Sequence, residues 1–192
     1  MAVRSLFATQ LYEAELLDDG LLSELAHSIR SLAEDDQAGR RWSKEHHYPG
    51  YTSYASLNDL PKRDPSFGEV AKVLTRHAVQ FAEECAFDLA RKPRLDSLWV
   101  NLLKGAGHHS AHIHPHSIIS GTLYVEVPRA AGAIRFEDPR LPLMMAAPRR
   151  PDTFVTVEPK AGMLLLWESW IRHEVLPGTG RGERLSISFN FA

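Results

Sequence analysis

Apolar positions recur mostly every three or four places along the first half of the chain, and every second place after Pro93. Residues 5–17 read as one strand, with Phe7, Leu11 and Leu16 as its apolar members. Asp18 and Asp19 then offer N-cap oxygens to a helix that carries Leu22, Leu25, Ile29 and Leu32. Residues 34–68 are punctuated by glycine, proline, serine and paired charges, which predicts a loop with short strands. Trp42, Tyr48, Tyr51 and Tyr54 are expected to pack that segment onto the core. A long helix is predicted from 65 to 89, with Val70, Val73, Leu74, His77, Phe81 and Cys85 near one stripe. Pro65 suits its first turn, where no backbone N–H is needed.

Beyond Pro93 the period of two predicts strands at 95–104, 118–127, 133–137, 154–158, 163–167 and 183–191. Ser97, Trp99, Asn101 and Leu103 share one face of the first; Ser120, Thr122, Tyr124 and Glu126 share one face of the second. The run Met163-Leu164-Leu165-Leu166-Trp167 does not alternate, so that strand is expected to be covered on both faces. Many short strands between glycine and proline turns predict a β-sandwich or jelly roll with the earlier helices packed outside. The chain therefore reads as one domain over 1–192, a helical and loop part at 1–93 and a jelly-roll core at 94–192.

Composition narrows the classes. The 192 residues are 44% hydrophobic and 24% charged with a net charge of -2, so a disordered chain is excluded and one core is feasible. That charge argues against a protein whose main work is gripping nucleic acid or an anionic membrane. The lone Cys85 excludes a disulfide framework and a four-cysteine zinc site. The first residues lack the apolar run of a signal peptide, and no stretch approaches the ~20 apolar residues that cross a bilayer. A cytoplasmic protein is expected.

Histidine is out of proportion. Five of ten, His108, His109, His112, His114 and His116, fall within nine positions. In a strand, His112 and His114 point to the same face, pre-spaced for one shared ion. A third ligand must come from elsewhere, and His173, just past an apolar strand, is the strongest candidate. Pro115 should end regular pairing before His116. His108 and His109 read as loop, and His27 and His77 as structural. An H-x-H pair on its own fits a histidine-rich surface stretch equally well.

The last strand divides cleanly. Arg184, Ser186, Ser188 and Asn190 share one face, and Leu185, Ile187, Phe189 and Phe191 the other. Either the polar face meets water, or it lines a barrel whose outer helices cover the apolar face. In the second arrangement Arg184 is a buried guanidinium that requires an anion, and a carboxylate satisfies it bidentately.

Several ordered motifs now carry a resemblance. They are His112-Ile113-His114-Pro115, Ser120-Gly121-Thr122-Leu123-Tyr124, Phe136-Glu137-Asp138-Pro139, Pro159-Lys160-Ala161-Gly162, Trp170-Ile171-Arg172-His173 and the 184–191 strand, with Gly50-Tyr51-Thr52-Ser53 a weaker match. Together they resemble the bacterial and phage 2-oxoglutarate- and Fe(II)-dependent oxygenases, in an H-x-H-P form. The resemblance implies a double-stranded β-helix, with His112, His114 and His173 as iron ligands. It implies Arg184 and Ser186 at the far carboxylate of 2-oxoglutarate, and Asn101 and Tyr124 as further co-substrate contacts. His114 stands where the wider superfamily has a carboxylate, and Glu126 or Asp138 is the alternative ligand. The implied reaction hydroxylates a substrate with release of succinate and carbon dioxide.

Two other classes stay open from the residues alone: a cupin-type three-histidine metalloenzyme without the oxo acid, and a non-enzymatic jelly-roll module that binds metal. The substrate, small molecule or macromolecule, is not readable. Specificity is expected from 34–68 and 139–152, where Arg140, Arg149 and Arg150 read as a solvated loop or a greeting for an anion. Met144 and Met145 pack over the barrel mouth or form a homodimer contact.

Overall fold

The computed structural model describes residues 2–4, 7–16, 18–140 and 151–192. Met144, Met145, Arg149 and Arg150 therefore lie outside the described residues. In order the elements are β1 (Leu11–Glu15), α1 (Asp19–Asp35), α2 (Gln37–Glu45), β2 (Gly50–Thr52), a 3-10 turn (Leu60–Lys62), α3 (Pro65–Glu84) and β3 (Leu95–Lys104). There follow β4 (His109–His112), β5 (Ile119–Glu126), β6 (Ile134–Glu137), β7 (Phe154–Val157), β8 (Met163–Glu168), β9 (His173–Val175) and β10 (Glu183–Phe191).

The strands form two antiparallel sheets, β1-β8-β5-β10-β3-β2 and β4-β9-β6-β7. This is the jelly roll expected from the alternation, a double-stranded β-helix with helices on one side. Leu185, Ile187, Phe189 and Phe191 of β10 and Leu98, Val100 and Leu102 of β3 point outward. They meet Leu25 and Ile29 of α1 and Phe67, Val70, Leu74 and Phe81 of α3 in one buried cluster. The strand 163–167 is buried on both faces as expected: Leu164 and Leu166 join the helices, while Leu165 and Trp167 face the other sheet with Phe136 and Ile134. Gly162, at φ +80°, makes the tight turn before it, where a Cβ would lie 2.7 Å from the Leu16 carbonyl oxygen. Among the described residues no helix is long and apolar enough to cross a membrane.

Three expectations need correction. Residues 34–68 contain a true helix, α2: Asp36 caps it by accepting from Gly39 N at 3.0 Å, and its polar sequence hides it from an apolar-stripe reading. The strand expected at 5–17 is confined to Leu11–Glu15, and Phe7 is 92% exposed, while Ser5 and Leu17 are outside the described residues. Helix α3 stops at Glu84 because Ala86 takes φ +52° and turns the chain, although Phe87 and Leu89 still pack on the core.

Candidate active site

Backbone pairing brings the distant histidines together. His112, the last residue of β4, sits across from His173, the first of β9, and His114 N donates to Ser169 O at 3.0 Å. The rings of His112 and His173 are 4.4 Å apart, those of His112 and His114 5.1 Å, and His114 stacks almost parallel to His173 at 5.2 Å. One nitrogen from each lies within 4.8 Å of the others. His112 Nδ1 is 2.7 Å from Ser110 O and His173 Nδ1 is 2.9 Å from Ile171 O. A carbonyl only accepts, so both Nδ1 atoms carry a proton, which leaves Nε2 as the atom of each ring that can coordinate. His114 Nε2 lies 3.3 Å from His173 Nε2. Burial, reinforced by His112, drops the His173 pKa to about 3 and that of His114 to about 4, which keeps both neutral and able to coordinate.

The same cavity, of about 360 Å³, contains the inner face of β10: Arg184, Ser186, Ser188 and Asn190. The polar face of this strand thus lines the lumen instead of meeting water. Arg184 is 4% exposed; its Nη1 donates to Gly132 O at 3.0 Å and its Nε has no partner. Among the described residues no carboxylate lies within 4 Å of it. Burial lowers its pKa, with the neighbouring Tyr124 and Tyr48 phenols opposing. Tyr124 is itself pushed up to about 12 by burial.

Asn101 lines the cavity, and all but one N–H of its amide is engaged. Its Oδ1 accepts from Tyr48 Oη at 3.1 Å and Thr52 Oγ1 at 2.8 Å, and its Nδ2 donates to Ser188 Oγ at 3.0 Å. Because the single Tyr48 proton goes to Asn101, the short contact between Tyr48 Oη and His109 is donated by His109 Nε2–H. His109, expected in a loop, opens β4 and turns its half-buried ring into the cavity.

Sequence reasoning missed Tyr48, Thr52, His109, Trp99 and Trp167 as site residues. Trp99 shares the Asn101 face of β3, and that spacing was a usable signal. For His109 none existed, because three residues along a regular strand reverses the face; a register irregularity between His109 and His112 brings both inward. The two alternative carboxylates are elsewhere. Glu126 forms a two-pronged pair with Arg30 of α1, at 3.0 and 2.6 Å, and Asp138 pairs with Arg140 at 2.9 Å. A register shift after Leu185 breaks the alternation that would have turned Glu126 inward. His116, at φ +70°, is exposed and apart from the cluster.

The residues fit a divalent transition metal with an oxo-diacid beside it: three imidazoles converge, and an anion-seeking guanidinium with an orphaned donor shares their cavity. Residues 97–190, about half the chain, match the family described as "Putative 2OG-Fe(II) oxygenase". No curated protein matches the sequence significantly. Among solved structures, a Pseudomonas putida prolyl-4-hydroxylase shares 18% identity with a TM-score of 0.67, over 95% of this chain and 92% of that one. The α-ketoglutarate-dependent epimerase SnoN of nogalamycin biosynthesis gives 17% and 0.67, over 96% of this chain and 78% of its own. HygX from Streptomyces hygroscopicus, solved with nickel and 2-oxoglutarate, gives 13% and 0.61 over 96% and 82%. The 97–190 core of the chain belongs to the 2OG-Fe(II) oxygenase family.

Proposed function

We propose that His112, His114 and His173 hold Fe(II), and that Arg184 binds the far carboxylate of 2-oxoglutarate in an oxygenase that hydroxylates its substrate. When bound, the metal couples oxidative decarboxylation of the oxo acid by dioxygen to hydroxylation of a substrate carbon, releasing succinate and carbon dioxide. The observation that carries the reading is the Arg184 Nε, buried and unpartnered in the cavity where the imidazoles converge. An unpaired buried guanidinium is costly, and a bidentate carboxylate removes that cost. Ser186, next along the same face, extends the anchor, and Tyr124 closes it with a phenol that stays protonated and able to donate. Asn101 acts mainly by holding Tyr48 and Ser188 in place. Ser110 and Ile171 carbonyls fix the ring tautomers of two ligands. A cytoplasmic location is consistent with the free, half-buried Cys85.

A cupin-type site without the oxo acid gives Arg184 no ligand, and a passive metal module gives it none either. Anaerobic addition of Fe(II) and 2-oxoglutarate tests the reading directly. It expects a weak visible charge-transfer band that needs both additives. Metal binding with no such band would overturn it.

A further inference from the structure

The cavity has a second half that the iron and oxo acid do not use. Trp99, 6% exposed, has its ring 6.0 Å from that of His114. Tyr54 packs edge-on against Trp99 at 5.2 Å, and Trp42 packs edge-on against Tyr54 at 6.4 Å. Trp42 comes from α2, Tyr54 from the segment after β2 and Trp99 from β3, so three separate elements build one continuous aromatic wall. The wall runs outward from a histidine of the cluster: Tyr54 is 53% exposed, and Ile113, across the mouth, is 46% exposed. All four line the cavity that holds His112, His114 and His173.

We infer that Trp42, Tyr54 and Trp99 form the substrate subsite, and that the substrate is uncharged and lays a flat ring against them. This rests on the oxygenase reading above. Two properties of the wall set the class. Aromatic faces and edges reward another ring by offset or edge-on stacking over and above buried area. The charge pattern removes the ionic alternatives. Among the described residues the cavity lining contains no Asp, Glu or Lys, and its one full charge is the buried Arg184. A cationic substrate would find no carboxylate among these lining side chains to pair with. An anionic one would exchange its hydration for neutral indole and phenol groups and meet no cationic side chain except Arg184, which the oxo acid occupies.

The test uses 2-naphthol as probe on the full chain, with 2-naphthoate and a trimethylammonium naphthalene as charged counterparts. Binding is read from tryptophan fluorescence and saturation-transfer NMR, with and without Ni(II) plus 2-oxoglutarate. Wild type is expected to bind 2-naphthol in preference to both charged probes when Ni(II) and 2-oxoglutarate are present. Trp42→Ala and Tyr54→Ala should each weaken it about fivefold. Tyr54 is exposed enough that its removal leaves the fold intact, and Trp170→Ala, an exposed indole away from the cavity, should change nothing. Unchanged binding in both wall variants, or tighter binding of either charged probe, overturns the inference. Failure here with the charge-transfer band present sinks only the subsite; naphthol binding without the band sinks the oxygenase reading and leaves the wall.

Discussion

Arg184 is the residue on which most of the proposed chemistry turns, and its cost is measurable without any substrate. A guanidinium 4% exposed, held by one carbonyl and otherwise unpaired, weakens the ligand-free protein. Arg184→Met, an apolar side chain of similar reach, is therefore expected to leave the melting temperature of the ligand-free chain unchanged or to raise it. The same variant should raise the apparent KM for 2-oxoglutarate on the order of 10²-fold, as expected for losing one side of a buried charge pair. Its iron requirement should stay within about twofold. Thermal melts with and without 2-oxoglutarate, alongside steady-state titrations, separate the two effects; equal losses for iron and oxo acid would remove Arg184 from its assigned place.

Among the elements, α2 gives the cavity Trp42 while showing least in the sequence. Its helix has no apolar stripe, so periodicity passes over it; what makes it fold is Asp36. That carboxylate accepts from Gly39 N, from Tyr51 Oη at 2.8 Å and from Ser56 Oγ at 2.5 Å, tying the helix to β2 and the segment beyond. Burial raises its pKa, but these hydrogen bonds outweigh burial and leave it below the ordinary carboxylate value. Asp36→Ala removes a cap and strands a half-buried tyrosine hydroxyl, which together cost about 2–3 kcal/mol in urea denaturation. It should also displace Trp42, and Asp36→Asn should recover part of the loss. An Asp36→Ala chain as stable as wild type would mean that α2 is held by something else. The strands tell the opposite story. β3, β5 and β10 alternate as strands with one polar and one apolar face do, and so the Arg184 face was legible, while the His112 and His114 pair was legible from its two-residue spacing. Legibility failed where a strand irregularity broke the period of two: inward at His109, outward at Glu126. It failed again at Tyr48, which no period marks and which only the β2 and β3 pairing delivers beneath the site.

At the scale of the molecule, gathering imidazoles in a buried cavity makes stability depend on pH in a definite direction. Burial holds His109 and His173 near a pKa of about 3 and His114 near about 4, against an ordinary 6.5. Between those values the unfolded chain binds protons that the folded chain refuses. The stability that neutral imidazoles confer is therefore complete above pH 6.5 and is lost progressively as pH falls toward about 4 for His114 and about 3 for His109 and His173. At pH 5 the linkage amounts to about 2 kcal/mol for each such group at most. Urea midpoints of the metal-free protein should accordingly drop steeply from pH 7 to pH 5. His173→Phe, which keeps a buried ring and removes the titration, should make that slope shallower by about one third, because one of three such groups is gone. The metal supplies a second readout on the same variant. At about one hundred times its dissociation constant a ligand of the folded state adds roughly 2.7 kcal/mol, so Ni(II) at pH 7 should raise the wild-type midpoint, a chelator should reverse it, and His173→Phe should respond to neither. A variant that keeps the acid slope has its protons elsewhere, and one that keeps the Ni(II) stabilisation has its ion elsewhere. Only the loss of both places the depressed imidazole and the metal ligand in the same ring.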